Sequence, residues 1–378
     1  FCPVLTFFRI YPKSPARLVQ QKGILMKFPL LLLSSGLAVG FAWSPMVPVT
    51  PAPLTTKTRV AEIRQQAAPL SIVTRFPISG NGGWDYLAVS PRKDWLYISH
   101  GDQVNIVDKT TGDSVGIIPN TLGVHGIAFD AATNTGYTSN GKSNTVSVFD
   151  LNSNQVQKTI TTGGNPDAIL YEPFSDKIIT CNGRGHNLSI IDPRSNVVVD
   201  SVALGGKPET AVTDSAGNLY VNIEDKNEIL RVDTRTFKVT AHWSLAPGEE
   251  PTGLAFDVTG HRLFAACAKR LVVLNADNGK IVAKLPIGEG ADGAVFDLDK
   301  KIIYTSNGEG SISAIQQLGP DKYVLKETLP TQKGARTICI DQQTHTLYLP
   351  VAAFEQQGQT SSGRPKIKPG SFQVLVLR

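Results

Sequence analysis

From about residue 71 to the end of the chain, short runs of alternating apolar and polar residues are separated by Gly, Asn, Asp and Pro. A period of two places successive side chains on opposite faces of an extended backbone, so each run predicts a β-strand. No stretch sustains the spacing of an amphipathic helix. The pattern therefore predicts an all-β chain with turns at short, regular intervals.

The strands recur as a unit. Tyr137-Thr138-Ser139-Asn140 leads to Val146-Ser147-Val148-Phe149-Asp150, and Ile179-Thr180-Cys181-Asn182 leads to Leu188-Ser189-Ile190-Ile191-Asp192. Tyr304-Thr305-Ser306-Asn307 leads to Ile312-Ser313-Ala314-Ile315 in the same way. A Gly-rich turn and a short apolar strand precede each pair, as in residues 163–170. The residues that open this first strand are Asp85, His125, Asp167, Glu209, Thr252, Asp292 and Arg336, at intervals of 40, 42, 42, 43, 40 and 44. Seven copies of a unit of this length, each with four strand-sized runs, predict a seven-bladed β-propeller. One sheet cannot bury both its faces alone, so every blade must pack on two neighbours. The last unit ends at its third strand, 372–377. The strand at about 71–78 is expected to supply the missing outer strand and to close the ring.

The Tyr-Thr-Ser-Asn strand end, the Val-x-Val-Phe-Asp strand and the Gly163-Gly164-Asn165-Pro166-Asp167 turn together resemble the YVTN repeat of YncE-like propellers. The resemblance spans 71–378. It implies an exported propeller with a ligand on one face. The fit is uneven, since the Asn position holds His100, Ile223, Cys267 and Val351 in units one, four, five and seven. WD40 propellers close their third strand with Trp-Asp. The only such dipeptide here, Trp84-Asp85, opens a first strand, which argues against that class.

Upstream of the repeats, Met26-Lys27 followed by the apolar run Phe28–Val39 and the small residues before Ala42 has the form of a secretory signal. The domain organisation expected is 1–25 as upstream or non-native extension, 26–43 as signal peptide, 44–70 as a Pro/Thr-rich linker, and 71–378 as propeller. The run is too short to span a bilayer comfortably, and no membrane span is expected after cleavage. The localisation expected is periplasmic or secreted. Three cysteines follow the signal, Cys181, Cys267 and Cys339, each in an apolar run and expected as a buried free thiol.

The net charge of +5 lies wholly in residues 1–43, which hold Arg9, Lys13, Arg17, Lys22 and Lys27 and no acid. The remaining 32 basic and 32 acidic residues balance, so nucleic acid is not a favoured partner. There is no HExxH and no EF-hand pattern.

In a propeller the first strands line the central channel, so the seven opening residues must gather at one mouth. Asp85, His125, Asp167, Glu209, Asp292 and Arg336 are the candidate ligand-binding residues, with Thr252 completing the ring. The loops after the second strands add His100, Asp102, Lys142, Arg184, His186, Glu224, Asp225, Lys269, Arg270 and Glu309 to the same face, of which His100 and His186 join the candidate set. Asp and Asn at such positions also serve simply to cap turns. The long polar segment 353–370 in unit seven reads equally as a lid and as a disordered excursion.

The function expected is a binding or scaffold protein that engages a small molecule or protein on the mouth face, working as a monomer because the ring is closed. The alternative is a hydrolase, either lactonase-like or metal-assisted. In it His125 or Asp167 acts as base and Arg336 steadies an oxyanion, with a divalent cation on Asp85, Asp167, Glu209 and Asp292.

Overall fold

The computed structural model describes residues 68–359 and 365–378. The expected signal peptide and most of the expected linker lie outside them. The described residues form seven four-stranded antiparallel sheets and one small hairpin. The first strands of blades one to six are Trp84–Val89, Val124–Asp130, Pro166–Glu172, Pro208–Thr213, Gly253–Asp257 and Ala291–Asp297, and blade seven begins with Cys339–Asp341. Each packs on the first strand of the next blade, and the seventh returns to the first, so the ring is closed. Helix is almost absent, a single 3-10 turn at Glu224–Lys226 being the exception among the described residues. None of their helices is long and apolar enough to cross a membrane.

The predicted closure is present. Ile72–Pro77 pairs antiparallel with Gln373–Leu377 and forms the outer strand of blade seven. Ser71 and Arg378 exchange backbone hydrogen bonds of 2.9 and 3.1 Å at the end of this ladder. Pro77 is tolerated because an outermost strand has a free side that needs no donor. Leu70, at the end of the expected linker, is buried among blade six and seven side chains and belongs to the fold.

The alternating pattern does not mean half exposure. Lys177–Asn182 and Asn187–Asp192 are buried along nearly their whole length, and outer strands such as Val156–Thr161 are mostly exposed. Middle strands of a blade are covered on both faces by neighbouring blades, so their polar members must bond one another. Thr180 donates to Asn182 Oδ1 (2.9 Å), and Asn182 Nδ2 donates to Asn187 Oδ1 (3.0 Å) and Ser189 Oγ (2.9 Å). The same network recurs in Thr138-Asn140-Ser147 and Thr305-Asn307-Ser313. The repeated Thr-x-Asn is thus a buried strut between second and third strands. The closing Asp150 accepts the amides of Asn152 (3.0 Å) and Ser153 (2.8 Å), which fixes the turn that follows.

The three cysteines are free, two of them buried and Cys339 partly so. The described residues of the 353–370 segment include the hairpin Phe354–Gln359 with Pro365–Ile367. Its base is anchored where Phe354 packs on Trp84 with ring centroids 6.1 Å apart.

Candidate functional site

The first strands do not start as regular ladders. Their pairing slips between Trp84 and Leu87, Val124 and Ile127, Pro166 and Ile169, Pro208 and Ala211, and Ala291 and Gly293. Each slip is a bulge that frees a residue from the pleat and turns its side chain, a device common beside functional sites. The freed residues include Asp85, His125, Asp167, Glu209 and Asp292. Close approach of neighbouring backbones follows. A Cβ on Gly253 would lie 2.6 Å from the Gly293 backbone, so only glycine fits there.

The backbones of the mouth residues are tied from the blade beside them. Ser99 donates to the His125 carbonyl (2.5 Å), Ser139 to the Asp167 carbonyl and Ser306 to the Arg336 carbonyl. Thr337 donates to the Asp85 carbonyl at 2.7 Å. The Ser of the Thr-Ser-Asn motif therefore points opposite to its neighbours and holds the next blade at the mouth.

The side chains pair with one another rather than with turn amides. His125 Nδ1 lies 2.5 Å from Asp85 Oδ2 and 3.8 Å from Asp167 Oδ1. Arg336 Nη1 lies 2.7 Å from Asp292 Oδ2, and its Nη2 lies 3.5 Å from the Trp84 carbonyl. Lys207 bridges Glu209 at 2.5 Å and Glu224. Thr252 is different, because its hydroxyl is spent on the Ala291 carbonyl at 2.6 Å. The structure thus gathers six of the seven expected positions around the axis.

Below them Tyr86 closes the channel. Its hydroxyl lies 3.2 Å from Thr210 Oγ1, on a blade that is not a neighbour of its own. The corresponding positions elsewhere are small: Gly126, Ala168, Thr210, Gly253, Gly293 and Thr337. The mouth is therefore a floored cup rather than an open pore.

Burial and crowding set the charge in this cup. Burial first, then the charge of Asp85, push Asp167 up to about 7, against the opposing charge of His125. Burial also pushes Asp292 up to about 6, against the charge of Arg336. Glu209 is raised by burial and by Asp167, with Glu224 competing for the same proton. Burial opposes the His125 cation, but the hydrogen bond to Asp85 and the charges of Asp167 and Asp85 outweigh it and raise the imidazole. Burial raises the Tyr86 phenol well above its ordinary value, and the charges of Asp167, Asp85 and Glu209 add to the effect.

His100 and His186 do not join the ring. His100 is 1% exposed, bonded to Asn105 at 3.2 Å and packed on Phe372, and burial lowers its pKa. It fills the strut position and cannot reach a ligand. His186 is exposed on a left-handed turn (φ 51°) between second and third strands. Several loop residues fasten turns instead. Asp102 accepts the Gly123 amide at 3.0 Å and Asp225 the Lys207 amide at 2.7 Å, while Lys142 pairs with Asp102 and Lys269 with Glu289. Glu224 is the loop residue that does reach the cup, through Lys207. Lys207 and Tyr86 were absent from the expected set. Lys207 stands two residues before Glu209, and Tyr86 is the one large residue in a column of small ones.

The ring and its floored mouth define a seven-bladed β-propeller with a charged cup at one end. No family model matches the sequence, and no curated protein does. Among solved structures, the chain is similar to the WD40 repeats of RRP9, with 11% identity, a TM-score of 0.67, and coverage of 82% of this chain and 98% of that one. It is also similar to a chain of Kuenenia stuttgartiensis hydrazine synthase, with 17% identity, a TM-score of 0.61, and coverage of 70% and 91%. At these identities the likeness is one of fold.

Proposed function

We propose that this chain is an exported propeller of the YVTN-repeat type, which binds a small molecule or protein at the mouth formed by Asp85, His125, Asp167, Glu209, Asp292 and Arg336. The observation that carries the reading is the cup itself. Charged side chains from six blades turn towards one axis, five of them through bulged strand starts, above a tyrosine floor. A purely packed channel has no use for charges held at such a desolvation cost.

Export rests on the leader-like segment 26–43, and the periplasm or the exterior is the compartment proposed. A closed ring needs no second copy, so the working form is a monomer. The hydrolase alternative asks Arg336 to steady an oxyanion, but that guanidinium is already paired with Asp292. Nothing in the geometry favours it over binding.

A melting-temperature panel of amino acids, polyamines, sugar acids and short peptides tests the reading. Some member of the panel should raise the melting temperature of the wild type, and Arg336→Gln and Asp292→Asn should remove that rise. A panel without effect, or a rise equal in both variants, would defeat it.

A further inference from the structure

The charges of the cup are unequally satisfied. Arg336 is committed to Asp292, and Lys207 is shared by Glu209 and Glu224. Asp85, His125 and Asp167, from blades one, two and three, are left to one another. The imidazole aims the same atom, Nδ1, at both carboxylates, at 2.5 Å from Asp85 and 3.8 Å from Asp167. The three donor atoms all lie within 4.8 Å of one another.

We propose that these three residues are the ligands of a divalent transition-metal ion such as zinc or manganese, and that the cup's organic ligand binds through that ion. This deepens the mouth-binding reading and rests on it. Metal–nitrogen and metal–oxygen bonds of about 2.0–2.2 Å place neighbouring ligands roughly 3.0–3.5 Å apart. The two distances to Nδ1 straddle that range, so a movement of the imidazole from Asp85 towards Asp167 by about half an ångström brings both into it. The ion would replace the hydrogen bond that now joins His125 Nδ1 to Asp85 Oδ2.

The frame is built to hold this geometry. The carbonyls of these three residues are each tied by a hydroxyl, from Thr337, Ser99 and Ser139 respectively. The far edge of the imidazole rests on Gly141, where a Cβ would come within 2.6 Å of Nε2. That contact keeps Nδ1 facing the carboxylates. Fixing the backbone and the ring of each donor is what a preorganised site requires.

The donor set narrows the ion. One imidazole nitrogen with two carboxylate oxygens suits zinc, manganese, iron or cobalt, whereas calcium and magnesium prefer oxygen alone. Three protein ligands leave coordination positions open, here towards the mouth. The organic ligand then belongs to the class that completes such a shell, a carboxylate or a carbonyl compound, with Arg336 beside it. Glu209 and Asp292 fall outside the ligand set because their cations already satisfy them.

The test is calorimetric titration of the full chain, stripped with chelator, with Mn²⁺ and Zn²⁺, alongside the visible spectrum of added Co²⁺. The expected result is one equivalent bound, with His125→Ala and Asp167→Asn each weakening binding at least about tenfold and abolishing the Co²⁺ bands. His261→Gln, which removes an exposed His–Asp pair elsewhere (2.8 Å), should change nothing. Should His125→Ala fail to fold, the near-isosteric Asp167→Asn decides alone. Absence of binding, or equal binding in Asp167→Asn, overturns the site. If metal fails but a compound still melts differently in wild type and Arg336→Gln, only this inference falls; if both fail, the mouth-binding reading falls too.

Discussion

The Tyr86 hydroxyl meets the Thr210 hydroxyl at 3.2 Å across the channel, joining blade one to blade four. The bridge turns a ring of blades into a vessel with a floor. It also brings the phenol close enough to Asp167, Asp85 and Glu209 for their charges to raise its pKa further, beyond the effect of burial.

Removing that floor is expected to cost stability as well as shape. Tyr86→Phe loses one hydrogen bond, worth about 1 kcal/mol. Tyr86→Ala also loses packing against the core of blades three and four and should cost about 3 kcal/mol. Urea unfolding measures both, and an alanine variant within 0.5 kcal/mol or so of wild type would contradict the bridge.

The strut behind the repeat motif makes a sharper demand. Asn182 is fully buried and takes part in three side-chain hydrogen bonds. Asn182→Ala leaves the Thr180 hydroxyl without its acceptor and takes one of two donors from Ser189, which keeps the Gly163 amide, and is expected to cost about 2–4 kcal/mol. Exposed Asn152 offers the comparison at a surface turn, where alanine should cost less than about 1 kcal/mol.

The repeat was legible because each blade carries the same needs: a turn, a strut and a closing Asp. The mouth was legible for a topological reason, since equivalent positions of a closed ring must converge. His100 could have been excluded on the same logic. Its equivalents Ile223, Cys267 and Val351 are apolar, which marks a core position. Tyr86 lay hidden because its partner is 124 residues away. The full burial of the middle strands was equally invisible, because alternating residues look the same whether one face is wet or a neighbouring blade covers it.

Ring closure gives another handle. Phe76 on the N-terminal strand is 2% exposed among blade one and seven side chains. Phe76→Ala should cost about 3–5 kcal/mol. Amide exchange should accelerate together in Ile72–Pro77 and Gln373–Leu377, since they share one ladder. Acceleration confined to one of the two would count against the closure.

A buried ion pair predicts a pH dependence. Asp341 accepts from Lys109 (2.9 Å), the Gln343 amide (3.0 Å) and the Thr344 hydroxyl (2.9 Å). Burial raises this carboxyl, but these bonds outweigh it and hold its pKa below the usual value. A depressed folded pKa contributes stability above the unfolded value of 3.8 and loses it as pH falls through the folded one. Asp341→Asn should cost about 3 kcal/mol at neutral pH and flatten the decline below pH 3.8. A decline of unchanged steepness, followed by urea midpoints, would assign it to other groups.

The most direct test of the mouth as the binding site is a crystal structure of the protein with whichever compound most raises its melting temperature. Density for that compound is expected over Tyr86, within hydrogen-bonding distance of Asp167 or Arg336. Density instead in the inter-blade cavity lined by Tyr220, Phe256 and His261, with the mouth empty, would contradict it.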